Sequence, residues 1–240
     1  MKRYGNLFKV GVLYSVAGIA TQIVLFAQEN LFLVDTGDGT LRDLLKQKID
    51  LESLRAIFFT HGHTDHVSGL FALLAHLRNM ERKKSIEIIY PEGIVSVPQI
   101  IEAFKNSFPD FHYVIESQQI KNGETIEIGP LKAKAFQMTH YAAVGVHKLL
   151  YPDIAFGYRF SFQGESIAIT GDTGLCVALE ELVRGIDIAL IDSSLNKSEV
   201  TEERLYKLHL SEEKAREIGK LARKYIPIHL SPLSPSKNKD

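Results

Sequence analysis

The chain has no tryptophan and only one cysteine, Cys176, in 240 residues. A single thiol excludes an intrachain disulfide framework. In the run Leu175-Cys176-Val177-Ala178, Cys176 reads as a small buried apolar residue rather than a ligand. Charge of one sign is also missing. Lys and Arg number 28 against 29 Asp and Glu, for a formal net charge of −1. This argues against a protein that holds nucleic acid by bulk electrostatics, where a basic stripe is expected. Lys83-Lys84 and the Lys237-Asn238-Lys239 segment read as solvated surface. No apolar run is long enough to span a bilayer. Linkers and solenoid-length repeats are lacking too. The expected organisation is one domain over residues 1–230 and a flexible tail over 231–240. A cytoplasmic location is the default expectation, with no membrane partner.

Met1-Lys2-Arg3 and the apolar stretch to Ala27 invite a signal-peptide reading. Ser15, Gly18, Thr21 and Gln22 interrupt it, and a second apolar segment, Leu31 to Val34, follows closely. Strands and a hairpin fit better. Further strands are expected at Ile86–Tyr90, Leu131–Met138, Ile154–Phe162, Ser166–Thr170, Ile186–Ile191 and Tyr225–Leu230. Helices are expected from Leu41, Leu44, Leu45 and Ile49, from Val67 through Leu77, and from Ile100 to Phe108. Another begins at Ser211 as N-cap, with Ala215, Ile218, Leu221, Ala222 and Tyr225 at helical spacing. Strand and helix runs mix along the chain. An α/β protein of two packed sheets with helices outside accounts for that mixing.

The densest chemistry is His61-Gly62-His63-Thr64-Asp65-His66, directly after the apolar run Ala56-Ile57-Phe58-Phe59. Imidazole and carboxylate suit zinc and its first-row neighbours, and the alternating ligands can divide between two metals. Other apolar runs also end at ligand-type residues: His140, Asp172, Asp192 and His229. Sites on layered folds gather where loops leave one sheet edge, so these strand ends are expected to meet. His76 and His112 read as packed or surface histidines. His147 competes with His140, which follows its strand directly. Asp187 reads as a residue at a strand start.

In this order the motifs resemble a metallo-β-lactamase-fold hydrolase of the ribonuclease Z-like branch. The resemblance rests on H-x-H-x-D-H at 61–66, and on His140 with Phe156-Gly157-Tyr158-Arg159 after it. Gly171-Asp172-Thr173-Gly174, His229, the turn Asp35 to Thr40, and His209 through Ala215 complete it. It implies a four-layer αβ/βα sandwich and two divalent metal ions, most simply zinc, with manganese or iron also suited. His61, His63 and His140 would hold the first metal. Asp65, His66 and His229 would hold the second, and Asp172 would bridge. Asp35 would shape its turn and support ligands. Two metals about 3.5–4 Å apart lower the pKa of a shared water, so a bridging hydroxide is the expected nucleophile. Asp65 would steer it. His209 would donate a proton or contact phosphate, aided by the helix start at Ser211.

Two departures bear on substrate. Ribonuclease Z proper carries a long arm that grips transfer RNA, in the bacterial form between the third histidine and the bridging aspartate. Here the interval from His140 to Asp172 is short. The family's H-E-A-T element is replaced by Ile191-Asp192-Ser193-Ser194, which leaves the surroundings of His209 open. The expected substrate is a small or medium phosphodiester, with precursor transfer RNA disfavoured and no strong nucleic-acid binding. A lactone, thioester or other carboxyl derivative is the alternative. A non-catalytic sensor is a third reading, opposed by the intact ligand set. A homodimer could complete the substrate surface.

Overall fold

The computed structural model describes residues 1–144 and 148–232, without the side chains of 144 and 148–150. His147 and the segment 233–240 lie outside the described residues. The first half builds β1 (Arg3–Tyr4), β2 (Phe8–Val16), β3 (Ala20–Ala27), β4 (Asn30–Thr36), α1 (Thr40–Lys46), β5 (Leu54–Phe58), α2 (Thr64–Val67), α3 (Leu70–Asn79), β6 (Ile86–Pro91), α4 (Ser96–Ser107) and β7 (Ile115–Ile120). The second half builds β8 (Thr125–Ile128), β9 (Leu131–Gln137), β10 (His140–Val144), β11 (Lys148–Asp153), β12 (Phe156–Phe162), β13 (Glu165–Ile169), α5 (Val177–Val183), β14 (Ile188–Asp192), α6 (Glu202–Lys207), α7 (Glu212–Gly219) and β15 (Lys224–Ile228).

Strands β1 to β7 form one sheet in sequence order. A second sheet runs β15-β14-β13-β12-β9-β8, and β10 with β11 forms a separate two-stranded ribbon. Alternate side chains of a strand face opposite ways, and both sheets use both faces. Phe32, Val34, Tyr158, Phe160, Ile169 and Leu190 meet in the core between the sheets. Leu31 and Leu33, one residue out of phase, pack outward against α1, α3 and α4. Ala168, Ala189 and Ile191 pack outward against α5 and α7. Helices, sheet, sheet and helices make the four expected layers.

Direction within the sheets places the site. Strands β13, β14 and β15 are parallel, and β12 is antiparallel to both β13 and β9. Strands β9, β13, β14 and β15 therefore all point the same way, toward His140, Asp172, Asp192 and His229. In the first sheet, β4 and β5 are parallel and lead to Asp35 and His61. Leu230 bridges to Val16 across the two sheets, which brings the two sets of strand ends together.

Several local expectations are corrected. Helix α1 ends at Lys46, because Lys48 turns left-handed (φ 53°). Leu44 is buried, Leu45 is exposed, and Ile49 packs from the turn instead of the helix. The run from Val67 to Leu77 is two helices. Gly69 separates them, donating to Thr36 O at 2.7 Å, where a Cβ would lie 2.4 Å from Gly37 O. Helix α7 ends at Gly219, so Leu221 and Ala222 pack from a turn and Tyr225 belongs to β15. The ribbon β10–β11 and helices α5 and α6 were not expected. Gln163 and Gly164 both have positive φ (48° and 83°), the signature of the tight hairpin between β12 and β13. The N-terminal apolar stretch folds as β2 and β3, as expected. Cys176 is half-buried and stands at the N-cap position of α5, without a side-chain cap hydrogen bond.

Between the exposed lysines of the 83–84 pair and the helix before them sits Arg82, only 2% exposed. Its guanidinium donates to Leu51 O and Ser85 O at 2.9 Å, to Lys84 O at 2.8 Å, and to Leu54 O. It thereby ties the turn before β5 to the start of β6. Removing the donor strands buried carbonyls at roughly 1–3 kcal/mol each. Arg82→Met is expected to lower unfolding free energy by about 2–4 kcal/mol in urea titration. A loss below about 1 kcal/mol would contradict this account of Arg82.

Candidate metal centre

The site starts from a buried carboxylate. Asp35 ends β4 in a left-handed conformation (φ 60°) with no solvent exposure. Its Oδ1 accepts from Thr60 N at 2.8 Å, and its Oδ2 accepts from Thr60 Oγ1 at 2.8 Å. Its Oδ2 also lies 2.7 Å from His66 Nδ1. The Thr60 hydroxyl spends its proton on Asp35, so at 3.1 Å its oxygen is left to accept from His61 Nδ1. This chain assigns the tautomers of both rings: His61 and His66 carry their protons on Nδ1, and each turns Nε2 toward the site. His140 does the same, donating from Nδ1 to Leu208 O at 2.9 Å.

Those bare nitrogens converge. His61, His63, His140 and Asp172 offer ligand atoms within 4.8 Å of one another. Asp65, His66, Asp172 and His229 do so as well, and Asp172 belongs to both groups. Its Oδ1 lies 3.3 Å from His66 Nε2, and its Oδ2 lies 3.3 Å from His229 Nε2 and 3.7 Å from His61 Nε2. Asp65 Oδ2 lies 3.2 Å from His229 Nε2 and accepts from Gly18 N at 2.9 Å. The buried atoms His61 Nε2, His66 Nε2 and Asp172 Oδ1 have no hydrogen-bond partner. Buried polar atoms are normally satisfied, and a set of lone pairs aimed at one point fits a cation. The donor set therefore suits divalent metal.

The electrostatics carry the same imprint. Burial and the neighbouring His66 hold His61 well below the ordinary histidine pKa. Burial and His209 bring His140 down to about 4. Burial would lower His66 and His229 too, but Asp172 and the other carboxylates outweigh it. His66 is held well above the ordinary range, and His229 is raised to about 10. Burial works against ionising Asp172, yet His229, His66 and His61 keep its carboxyl well below the usual range. The carboxylates around His66 and His229 thus favour positive charge at this site.

His229 reaches its place with a left-handed backbone (φ 53°), held by His229 N donating to Ser15 Oγ at 2.7 Å. His209 stands with its ring 5.1 Å from those of both His140 and His229. Its Nδ1 donates to Asp192 Oδ2 at 2.8 Å. Asp192 is fully buried and also accepts from Thr173 N, Ser194 N and Ser194 Oγ. Burial opposes its charge, but His209 keeps its carboxyl below the usual range. Asp192 thus takes up the role left open by the altered H-E-A-T element: it holds His209. The expected anion-attracting helix start is not free. Ser211 Oγ accepts from Lys214 N, and Glu212 and Glu213 fill the first turn of α7.

Other residues resolve structurally. Tyr158 OH donates to Phe59 O at 2.8 Å under the site, while Arg159 donates to Leu182 O at the end of α5. Asp187 accepts from Ser166 and pairs with Arg223. His76 is half-buried and His112 exposed, and neither joins the clusters. Sequence reading missed Asp153, whose Oδ2 lies 2.8 Å from His63 Nε2. No sequence motif marks that pairing.

A family model described as the β-lactamase superfamily domain matches residues 30–230. Ribonuclease Z of Archaeoglobus fulgidus is 26% identical over 240 aligned residues, covering 83% of this chain and 77% of the relative. The short form of human tRNase Z superposes with a TM-score of 0.76 at 23% identity, covering 93% of each chain. The metallo-β-lactamase fold protein YhfI from Bacillus subtilis gives 0.75 at 16% identity, covering 95% of this chain and 88% of that one. With its strand ends converging on paired histidine and carboxylate clusters, this chain belongs to the β-lactamase superfamily, as a hydrolase of the metallo-β-lactamase fold related to ribonuclease Z.

Proposed function

We propose that the chain hydrolyses a small or medium phosphodiester with two divalent metal ions, most simply zinc. The observation that carries this reading is His209, fixed by Asp192 between the two ligand clusters. His61, His63 and His140 would hold one ion, and Asp65, His66 and His229 the other, with Asp172 shared. When bound, the ions supply Lewis acidity to a phosphoryl oxygen and lower the pKa of the attacking water. Asp65, steadied by Gly18 N, is placed to accept a hydrogen bond from that water. With Nδ1 committed to Asp192, the His209 ring has Nε2 left to meet a phosphate oxygen or protonate the departing one.

The interval from His140 to Asp172 favours a compact substrate. Among the described residues it is taken up by β10, β11, β12 and β13. The test is a metal-loaded panel of phosphodiester, phosphomonoester, lactone, thioester and precursor transfer RNA. Small phosphodiesters should turn over fastest and the precursor poorly. Faster lactone or thioester hydrolysis would move the carboxyl-derivative reading ahead. Accurate, efficient precursor cleavage would restore the transfer RNA reading.

Metal loading should saturate at two equivalents and release protons, because the surrounding carboxylates raise His66 and His229 above the ordinary histidine range and a metal ion competes with their protons. Calorimetry in buffers of different ionisation enthalpy is expected to show net proton release on loading. Affinity should fall as pH is lowered further below the raised pKa values. Metal uptake without proton release would contradict this charge balance.

His209→Ala should keep both metals and lose phosphodiesterase turnover by about 10²–10⁴-fold. An activated leaving group should shrink the loss if His209 is the acid, and leave it unchanged if it only contacts phosphate. Undiminished turnover on every phosphodiester would remove the main support for this substrate class.

A further inference from the structure

Burial separates His63 from the other ligand histidines. The side chains of His61 and His66 are 0% exposed and that of His229 is 3%, whereas His63 is 34% exposed. Packing locks the buried rings. The His63 ring depends instead on a hydrogen bond, and its partner is Asp153.

The backbone delivers Asp153 to that position. Residue 61 bridges antiparallel to Ala155, and Phe156 N donates to Thr60 O at 2.8 Å. Continuing that register by two residues brings His63 opposite Asp153, on the same side of the paired strands. Asp153 is also the cross-strand partner of His140 at the base of the β10–β11 ribbon. Its Oδ1 is occupied by its neighbour, Ile154 N, at 2.8 Å. Its Oδ2 is thereby aimed at His63 Nε2. The consequence is a reversed ring: His63 Nδ1, not Nε2, faces His140 Nε2 at 3.4 Å.

We infer that Asp153 is the positioning residue of the first metal cluster: it holds His63 as the Nε2–H tautomer so that Nδ1 serves as the ligand. This rests on the proposed role of His63 as a ligand. Among the described residues, the Asp153 carboxylate bonds to His63 and Ile154 N, and its backbone neighbour His140 belongs to the same cluster, so its effect falls on one of the two ions. Outer carboxylates on ligand histidines typically contribute 10–100-fold in metal affinity.

The test uses the full chain with Asp153→Ala and Asp153→Asn. In the metal-free parent, imidazole nitrogen NMR should show His63 protonated on Nε2, and Asp153→Ala should lose that preference. Cobalt titration should then show one equivalent weakened about 10–100-fold, with an altered visible spectrum, and the other bound as in the parent. The unchanged second equivalent reports an intact fold. Asp153→Asn, whose amide oxygen can still accept, should restore the tautomer and much of the affinity. An unchanged His63 tautomer in Asp153→Ala, or parental affinity for both equivalents, overturns the proposal. A parent that takes only one equivalent would instead overturn the two-metal reading, and the tautomer measurement on the metal-free chain would still decide the role of Asp153.

Discussion

The structure depends on one electrostatic constraint: carboxylates buried at a shared sheet edge must face positive charge. Asp35, Asp172 and Asp192 are each at most 3% exposed. An uncompensated buried carboxylate costs several kcal/mol, far more than one packing contact supplies. Each is therefore ringed by donors. Asp35 takes Thr60 and His66, Asp192 takes His209, Thr173 and Ser194, and Asp172 faces three imidazoles. The first two are satisfied by protein hydrogen bonds. Asp172 faces imidazoles alone, and its Oδ1, 3.3 Å from His66 Nε2, is left without a well-formed hydrogen bond among the described residues. That asymmetry distinguishes the carboxylates that position from the carboxylate that waits for a cation.

Holding these groups in place strains the backbone. Asp35 and His229 both adopt left-handed conformations without being glycine. Such conformations persist only where the surroundings over-determine them. Here the surroundings are the two sheets. The β2–β3 hairpin grips the end of β15 through Ala17 N to Leu230 O and Leu230 N to Ser15 O. The same hairpin offers Gly18 N to Asp65. Asp65, in the helix after β5, and His229, at the end of β15, are thus tied to one hairpin, so the two clusters come together only when both sheets have packed.

What the sequence disclosed was what is local or ends a strand. His61 to His66 stands in six consecutive residues after a buried strand, so its chemistry is visible without a fold. His140, Asp172 and His229 were legible as strand ends because their apolar runs stop abruptly, and parallel strand direction then brings them together. Asp35 was legible as a supporting residue, although its contact with His66 spans 31 positions. The β10–β11 ribbon was not legible. Its residues lack the strict apolar alternation of a half-buried strand, being paired only to each other. Asp153 was hidden for the same reason, since its meaning comes from a cross-strand register. The apolar spacing of Leu221, Ala222 and Tyr225 misled because a turn and a strand can present side chains to the same cluster that a helix would.

The surface beside His209 bears on substrate size. Several cations on or beside helices α5, α6 and α7 are paired: Arg184 with Glu180, Lys207 with Glu203, Lys214 with Glu217, and Arg216 with Glu212, while Arg204 donates to the Glu199 carbonyl. Exposed pairs of this kind contribute only about 0–1 kcal/mol to stability, but each cancels a charge that could otherwise attract a polyanion. Long nucleic acids gain affinity by neutralising many phosphates at once, with release of their counterions. A surface on which many cations are already paired offers less of that gain. Recognition then falls to the few groups at the centre itself, the ligand clusters and His209. Under the proposed function, those groups would reach one phosphoryl group and its leaving oxygen, which is the scale of a small phosphodiester.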